Sequence, residues 1–140
     1  NYSGGVIVTK SSDNSIKSFE DLKGRKSAQS ATSNWGKDAK AAGAQILVVD
    51  GLAQSLELIK QGRAEATIND KLAVLDYFKQ HPNAGLKIAY DRGDKIPTAF
   101  AFLQGEDALI TKFNQALEAL RQDGTLKQIS IEWFGDDITQ

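Results

Sequence analysis

Cysteine and methionine are both missing from these 140 residues, histidine occurs once and proline twice. Without cysteine there is no thiol nucleophile, no disulfide, and no zinc or iron–sulfur site built on thiolates. A cysteine-free chain suits an oxidising compartment without requiring one. Without methionine, Asn1 is not a natural start, so the chain is expected to be a processed or excised piece. Any signal peptide or lipid anchor would then lie outside it. No apolar run approaches the roughly 18 residues that a membrane-spanning helix needs. The net charge of −1, from 17 basic and 18 acidic residues, leaves no broad basic surface. Nucleic acid and polybasic membrane contact are therefore not expected.

Apolar residues make up 41% and charged residues 25%, enough for one ordinary packed core. Residues 5–9 (GVIVT) read as a strand and residues 11–15 as a polar turn. Ser18, Phe19, Glu20 and Asp21 resemble an abbreviated capping box opening one or two helical turns, stopped by Gly24. Residues 26–30 read as a strand leading to a polar run. A helix is expected over 35–42 with Gly43 as its stop, then a continuous apolar strand over 45–49 of the kind buried on both faces. Leu52, Leu56 and Ile59 recur at helical spacing up to Gly62. Residues 64–68 read as a strand, and 70–80 as a helix with Leu72, Leu75 and Phe78 on one face. Residues 86–90 and 98–103 read as two more strands. An amphipathic helix over 107–123 carries Leu109, Ile110, Phe113, Leu117 and Leu120, and Thr125 is expected to cap a shorter one bearing Leu126, Ile129 and Trp133. This alternation predicts an α/β fold: an open, mostly parallel sheet flanked by helices, with C-terminal helices added.

Open α/β sheets bind ligands beyond the carboxyl ends of their strands, beside helix N-termini. Two strand-to-helix junctions have suitable chemistry. Gln29, Ser30, Ala31, Thr32, Ser33 and Asn34 gather hydroxyls and N–H groups at a helix start, where an anion is favoured. No lysine and no Walker glycine spacing occurs there, so a carboxylate fits better than a triphosphate. The plain alternative is that Thr32 or Ser33 caps the helix, and a cap residue can also donate to a ligand. Asn69 and Asp70 form the second junction, where Asp70 could hold an ammonium group or act as an N-cap. Together the two suit a zwitterion such as an α-amino acid. Catalytic residues are not expected: His81, the single histidine, reads as a solvated loop residue, and no acidic cluster suggests a metal. Trp35, Tyr77 and Trp133 read as packing residues, with Trp35 near enough to the first junction to border a pocket. No cofactor is implied.

The segments Phe19-Glu20-Asp21-Leu22-Lys23-Gly24-Arg25-Lys26, residues 27–36 (SAQSATSNWG), Asp50-Gly51, residues 61–70 (QGRAEATIND) and Asp123-Gly124-Thr125-Leu126 with Glu132-Trp133-Phe134-Gly135 occur in a telling order. Their order and spacing over nearly the whole chain resemble the second lobe of family 3 solute-binding proteins, nearest the cystine-binding branch. The resemblance implies a type 2 periplasmic-binding fold in which residues 1–103 form lobe two with hinge strands at both ends. Residues 104–140 would be C-terminal helices that pack on a first lobe not contained in the chain. It implies a small-molecule amino acid as ligand, with Gln29 to Asn34 gripping its α-carboxylate through the Thr32 hydroxyl and the Ser33 N–H. Asp70 would hold the α-amino group and Asn69 face the side-chain pocket. Ala31 stands where the family often has glycine, so the loop's backbone angles are in question. ABC permease subunits are the implied partner of the full two-lobed protein, in a periplasmic or extracellular setting that allows a lipid anchor on the full-length precursor. The exposed stripe of the C-terminal helices would fold back or pair with a second copy. The rival readings are a ligand-sensing module of a receptor or regulator, and a dehydratase-like enzyme lobe.

Overall fold

The computed structural model describes residues 2–139, and its elements follow one another as β1 (Tyr2–Ser3), β2 (Gly5–Lys10), a 3-10 turn (Glu20–Leu22), β3 (Lys26–Ser30), α1 (Asn34–Ala41), β4 (Gln45–Val49), α2 (Leu52–Lys60), β5 (Thr67–Asp70), α3 (Lys71–Gln80), β6 (Leu86–Asp91), β7 (Ile96–Pro97), α4 (Asp107–Gln122) and α5 (Thr125–Phe134). They form two compact units, Gly4–Asp94 and residues 2–3 with 95–139.

In the larger unit β3 and β4 pair in parallel, while β2 lies between β5 and β6 and runs against both. A parallel bridge from Ser27 to Ala66 joins the two sets. The layer order is therefore β4-β3-β5-β2-β6, with β2 alone opposing the rest. Alternation along β2 divides the core. Val6 and Val8 point to one face, where Leu56 and Ile59 of α2 and Val74 of α3 cover them. Ile7 points to the other, with Leu22, Ala39 of α1, Ile68 and Trp35. A central strand that is apolar on both sides needs helices on both sides, and the sequence supplies them.

The ends of the elements follow local chemistry. Gly24, Gly43 and Gly62 stop their turns at φ of 75°, 84° and 74°, a region that L side chains avoid. Asp21 accepts from Lys17 N (2.9 Å) and Ser18 Oγ (3.2 Å), but the N-cap of this turn is Phe19 and no side chain caps it, so the expected capping box does not form. No non-glycine residue among those described has positive φ, so Ala31 does not need the freedom of glycine.

Three further expectations change. The strand β4 is not buried on both faces: it pairs only with β3 among the described residues, and Val48 is 68% exposed. An apolar run records hydrophobicity, and an edge position overrides it. Residues 98–103 form no strand; the short pair β1–β7 ends at Pro97 among the described residues. Thr125 does not cap α5. It is the first helical residue, its N–H donates to Asp123 Oδ1 (2.8 Å), and Gly124 precedes it at φ 83°.

In the smaller unit, Phe113 of α4 meets Phe100 (4.9 Å between centroids) and Phe102 (5.3 Å) edge to face. They line a groove of about 720 Å³ with Leu117 and Leu126. No residue of α4 is buried, and Trp133 is 59% exposed.

Candidate functional site

In the layer order β4-β3-β5-β2-β6, β3 continues through α1 to β4 on one side, while β5 continues through α3 to β6 on the other. The connections diverge between β3 and β5, the switch point at which open α/β sheets form a crevice. The two junctions singled out in the sequence leave these two strands.

Gln29 lies on the buried side of that crevice, only 2% exposed. Its amide spans the gap where β3 and β5 part: Nε2 donates to Ile68 O (3.1 Å), and Oε1 accepts from Ile68 N (2.7 Å) and Ser27 Oγ (3.0 Å). Thr67 Oγ1 adds a bond to Ala28 O (2.7 Å). These side chains replace ladder bonds and let the strands splay without orphaned backbone groups. Gln29 thus braces the crevice floor rather than opening into it.

Above the floor, Ser33 is the N-cap of α1. Its hydroxyl accepts from Gly36 N (2.9 Å), and its own N–H donates to Ser30 O (3.2 Å). Thr32 and Asn34 are exposed. Among the described residues no acceptor takes the N–H groups of Thr32, Asn34 or Trp35, and nothing bonds the Thr32 hydroxyl. Open N–H groups at the positive end of a helix dipole favour an anion.

Across the switch point, Asp70 is the N-cap of α3, with Oδ1 accepting from Leu72 N (2.9 Å) and Ala73 N (3.4 Å). Asn69 Oδ1 accepts from Asp70 N (2.9 Å), which holds the junction's backbone. The plain cap readings of Ser33 and Asp70 are therefore realised, and both residues remain half-buried at the crevice. The fold brings 32–34 and 69–70 to neighbouring strand ends and puts Gln29 beneath them.

Sequence reasoning missed Gly5. A Cβ there would lie 2.7 Å from Trp35 Cζ3, so the indole occupies the space that glycine leaves. Gly5 is also the cross-strand partner of Asp70. The signal was the Gly4-Gly5 pair opening a β-branched strand, where glycine marks close approach. His81 is exposed and stacks on Tyr77 at 4.2 Å, away from both junctions. Among the described residues no His, Cys, Asp and Glu group could hold a metal, and no helix is long and apolar enough to cross a membrane.

A probable amino-acid ABC transporter-binding protein of Haemophilus influenzae is 97% identical over 140 residues, covering 100% of this chain and 54% of that protein. The L-cystine-binding protein TcyA of Bacillus subtilis is 47% identical over 138 residues, covering 99% of this chain and 52% of TcyA. The chain thus spans about half the length of these curated relatives. The unliganded open L-cystine solute receptor of Neisseria gonorrhoeae superposes with a TM-score of 0.86 at 51% identity, over 99% of this chain and 59% of the receptor. The fold is that of the type 2 periplasmic binding proteins. The family profile runs across residues 1–136, and the chain belongs to the bacterial extracellular solute-binding proteins, family 3.

Proposed function

We propose that this chain is the ligand-gripping lobe of an amino-acid-binding protein that serves an ABC importer, with L-cystine as its ligand. The observation that carries the reading is the meeting of an open helix start and a carboxylate at one switch point. The N–H groups of Thr32, Asn34 and Trp35 and the Thr32 hydroxyl bind the α-carboxylate. Asp70 binds the α-ammonium, while Asn69 keeps its backbone in place and borders the side-chain pocket. Each contact is charge-assisted, the stronger class of hydrogen bond. Cystine is favoured by the names of the relatives at 47% and 51% identity. The family is one of binding proteins, so the grip does no chemistry. Its output is closure against a first lobe, which a permease reads outside the cytoplasm.

An amide NMR titration with L-cystine, L-arginine and L-glutamine tests this. The expected result is saturating shifts at residues 32–35 and 69–71 with L-cystine alone. Shifts with L-arginine or L-glutamine only would keep the grip and replace the ligand. Silence with all three, in this chain and in the full-length protein, would sink the reading.

A further inference from the structure

We infer that Trp35, seated on the bare backbone of Gly5, is a positioning residue that sets the spacing between the carboxylate-binding and ammonium-binding junctions. The inference rests on the functional reading above and deepens it. Trp35 is in the first turn of α1, two residues beyond the Ser33 cap and next to the open N–H of Asn34. Its ring reaches across the sheet to β2, where a Cβ on Gly5 would lie 2.7 Å from Cζ3, 3.2 Å from Cε3 and 3.3 Å from Cη2. Residues directly opposite in an antiparallel pair share a face, so a side chain at Gly5 would stand beside that of Asp70. The indole takes that place. One rigid ring therefore touches the strand that pairs with Asp70 and belongs to the helix turn that offers N–H groups.

Position 5 is held from both sides, which makes it a firm seat. Arg92 N donates to Gly5 O (3.2 Å) and Lys71 N to Gly4 O (2.9 Å). A second tie fixes α1 one turn on, where Asp38 Oδ2 accepts from Arg92 Nη1 (3.1 Å). Gly5 has no left-handed φ, so alanine there suffers no backbone strain and acts only by pushing on the ring.

The test uses the full-length protein carrying Gly5→Ala, Trp35→Phe and both together, with L-cystine, L-arginine and L-glutamine as probes. Gly5→Ala is expected to weaken the bound amino acid about tenfold at temperatures well below unfolding, because a preorganised pair of grips is pushed apart. Trp35→Phe, which vacates the crowded ring positions, is expected to weaken it less, and the double variant to recover part of the Gly5→Ala loss. Amide shifts of Asn34 and Asp70 should move in the ligand-free single variants. Should Gly5→Ala not fold, Trp35→Phe and the shifts carry the test. Unchanged affinity in folded single variants, or losses that simply add in the double, would overturn the inference and leave the functional reading standing. A wild type that binds none of the three probes would overturn both.

Discussion

Asp70 caps α3 through Oδ1 and, in the proposed reading, also holds the ligand ammonium; asparagine separates the two roles. Asparagine caps as well as aspartate does but carries no charge. Asp70→Asn is therefore expected to hold urea stability within about 0.5 kcal/mol while weakening amino-acid binding tenfold or more, an order-of-magnitude expectation for a lost charge-assisted bond. Parallel losses in stability and binding would show that the cap alone matters. A different acid reports on the fold. Glu65 accepts from Lys26 N (2.9 Å) and Arg25 Nη1 (2.8 Å), and these bonds hold its carboxyl below the ordinary 4.5. A depressed folded pKa adds stability that is complete above the unfolded value and is lost as pH falls through the folded one. Glu65→Gln should thus be less stable than wild type at pH 7, by no more than about 1 kcal/mol for so exposed a pair. Urea curves at falling pH should show the gap closing below pH 4.5, and a constant gap would contradict the assignment. The caps at Ser33 and Asp70 were legible in the sequence because capping is local, whereas Thr125 was not a cap. The Gly5–Trp35 contact was not legible, since it joins residues on different elements.

At the scale of elements, β4 and α2 show how much position outweighs composition. Both are apolar, yet Val48 of β4 is 68% exposed and Leu56 of α2 is fully buried. Leu56→Ala is expected to cost about 2–5 kcal/mol by leaving a cavity against Val6, Val8 and Val74. Val48→Lys should change stability by less than about 0.5 kcal/mol, as a surface substitution does. It should also lower aggregation, because lysine blunts an open strand edge. Thermal unfolding and turbidity read the two effects, and a large loss from Val48→Lys would mean that this edge is covered. Helix spans were legible within a residue or two, because glycine stops and 3.6-residue spacing are written locally. Residues 98–103 read as a strand from their apolar content, yet no strand forms there and β7 ends at Pro97.

At the scale of the whole molecule, the smaller unit presents apolar surface. Phe100 is 67% exposed, Leu103 79% and Trp133 59%. Patches of this kind bind partners or cause association. This chain by itself is expected to bind an apolar dye and to show light scattering that rises with concentration, both reduced by Leu103→Glu with Trp133→Glu. A clean monomer without dye binding would show that the surface needs no cover. By itself the sequence determined the α/β alternation, the helix stops, the caps at Ser33 and Asp70, the candidate residues at the two junctions and the family. Each of these depends on short-range spacing or on motifs in fixed order. Only the tertiary structure decided that β2 runs against its neighbours, that the switch point falls between β3 and β5, that Gln29 braces the floor and that Trp35 replaces the side chain Gly5 lacks. Strand partnership and burial depend on contacts between distant residues, and local propensity carries no record of which distant residue will arrive.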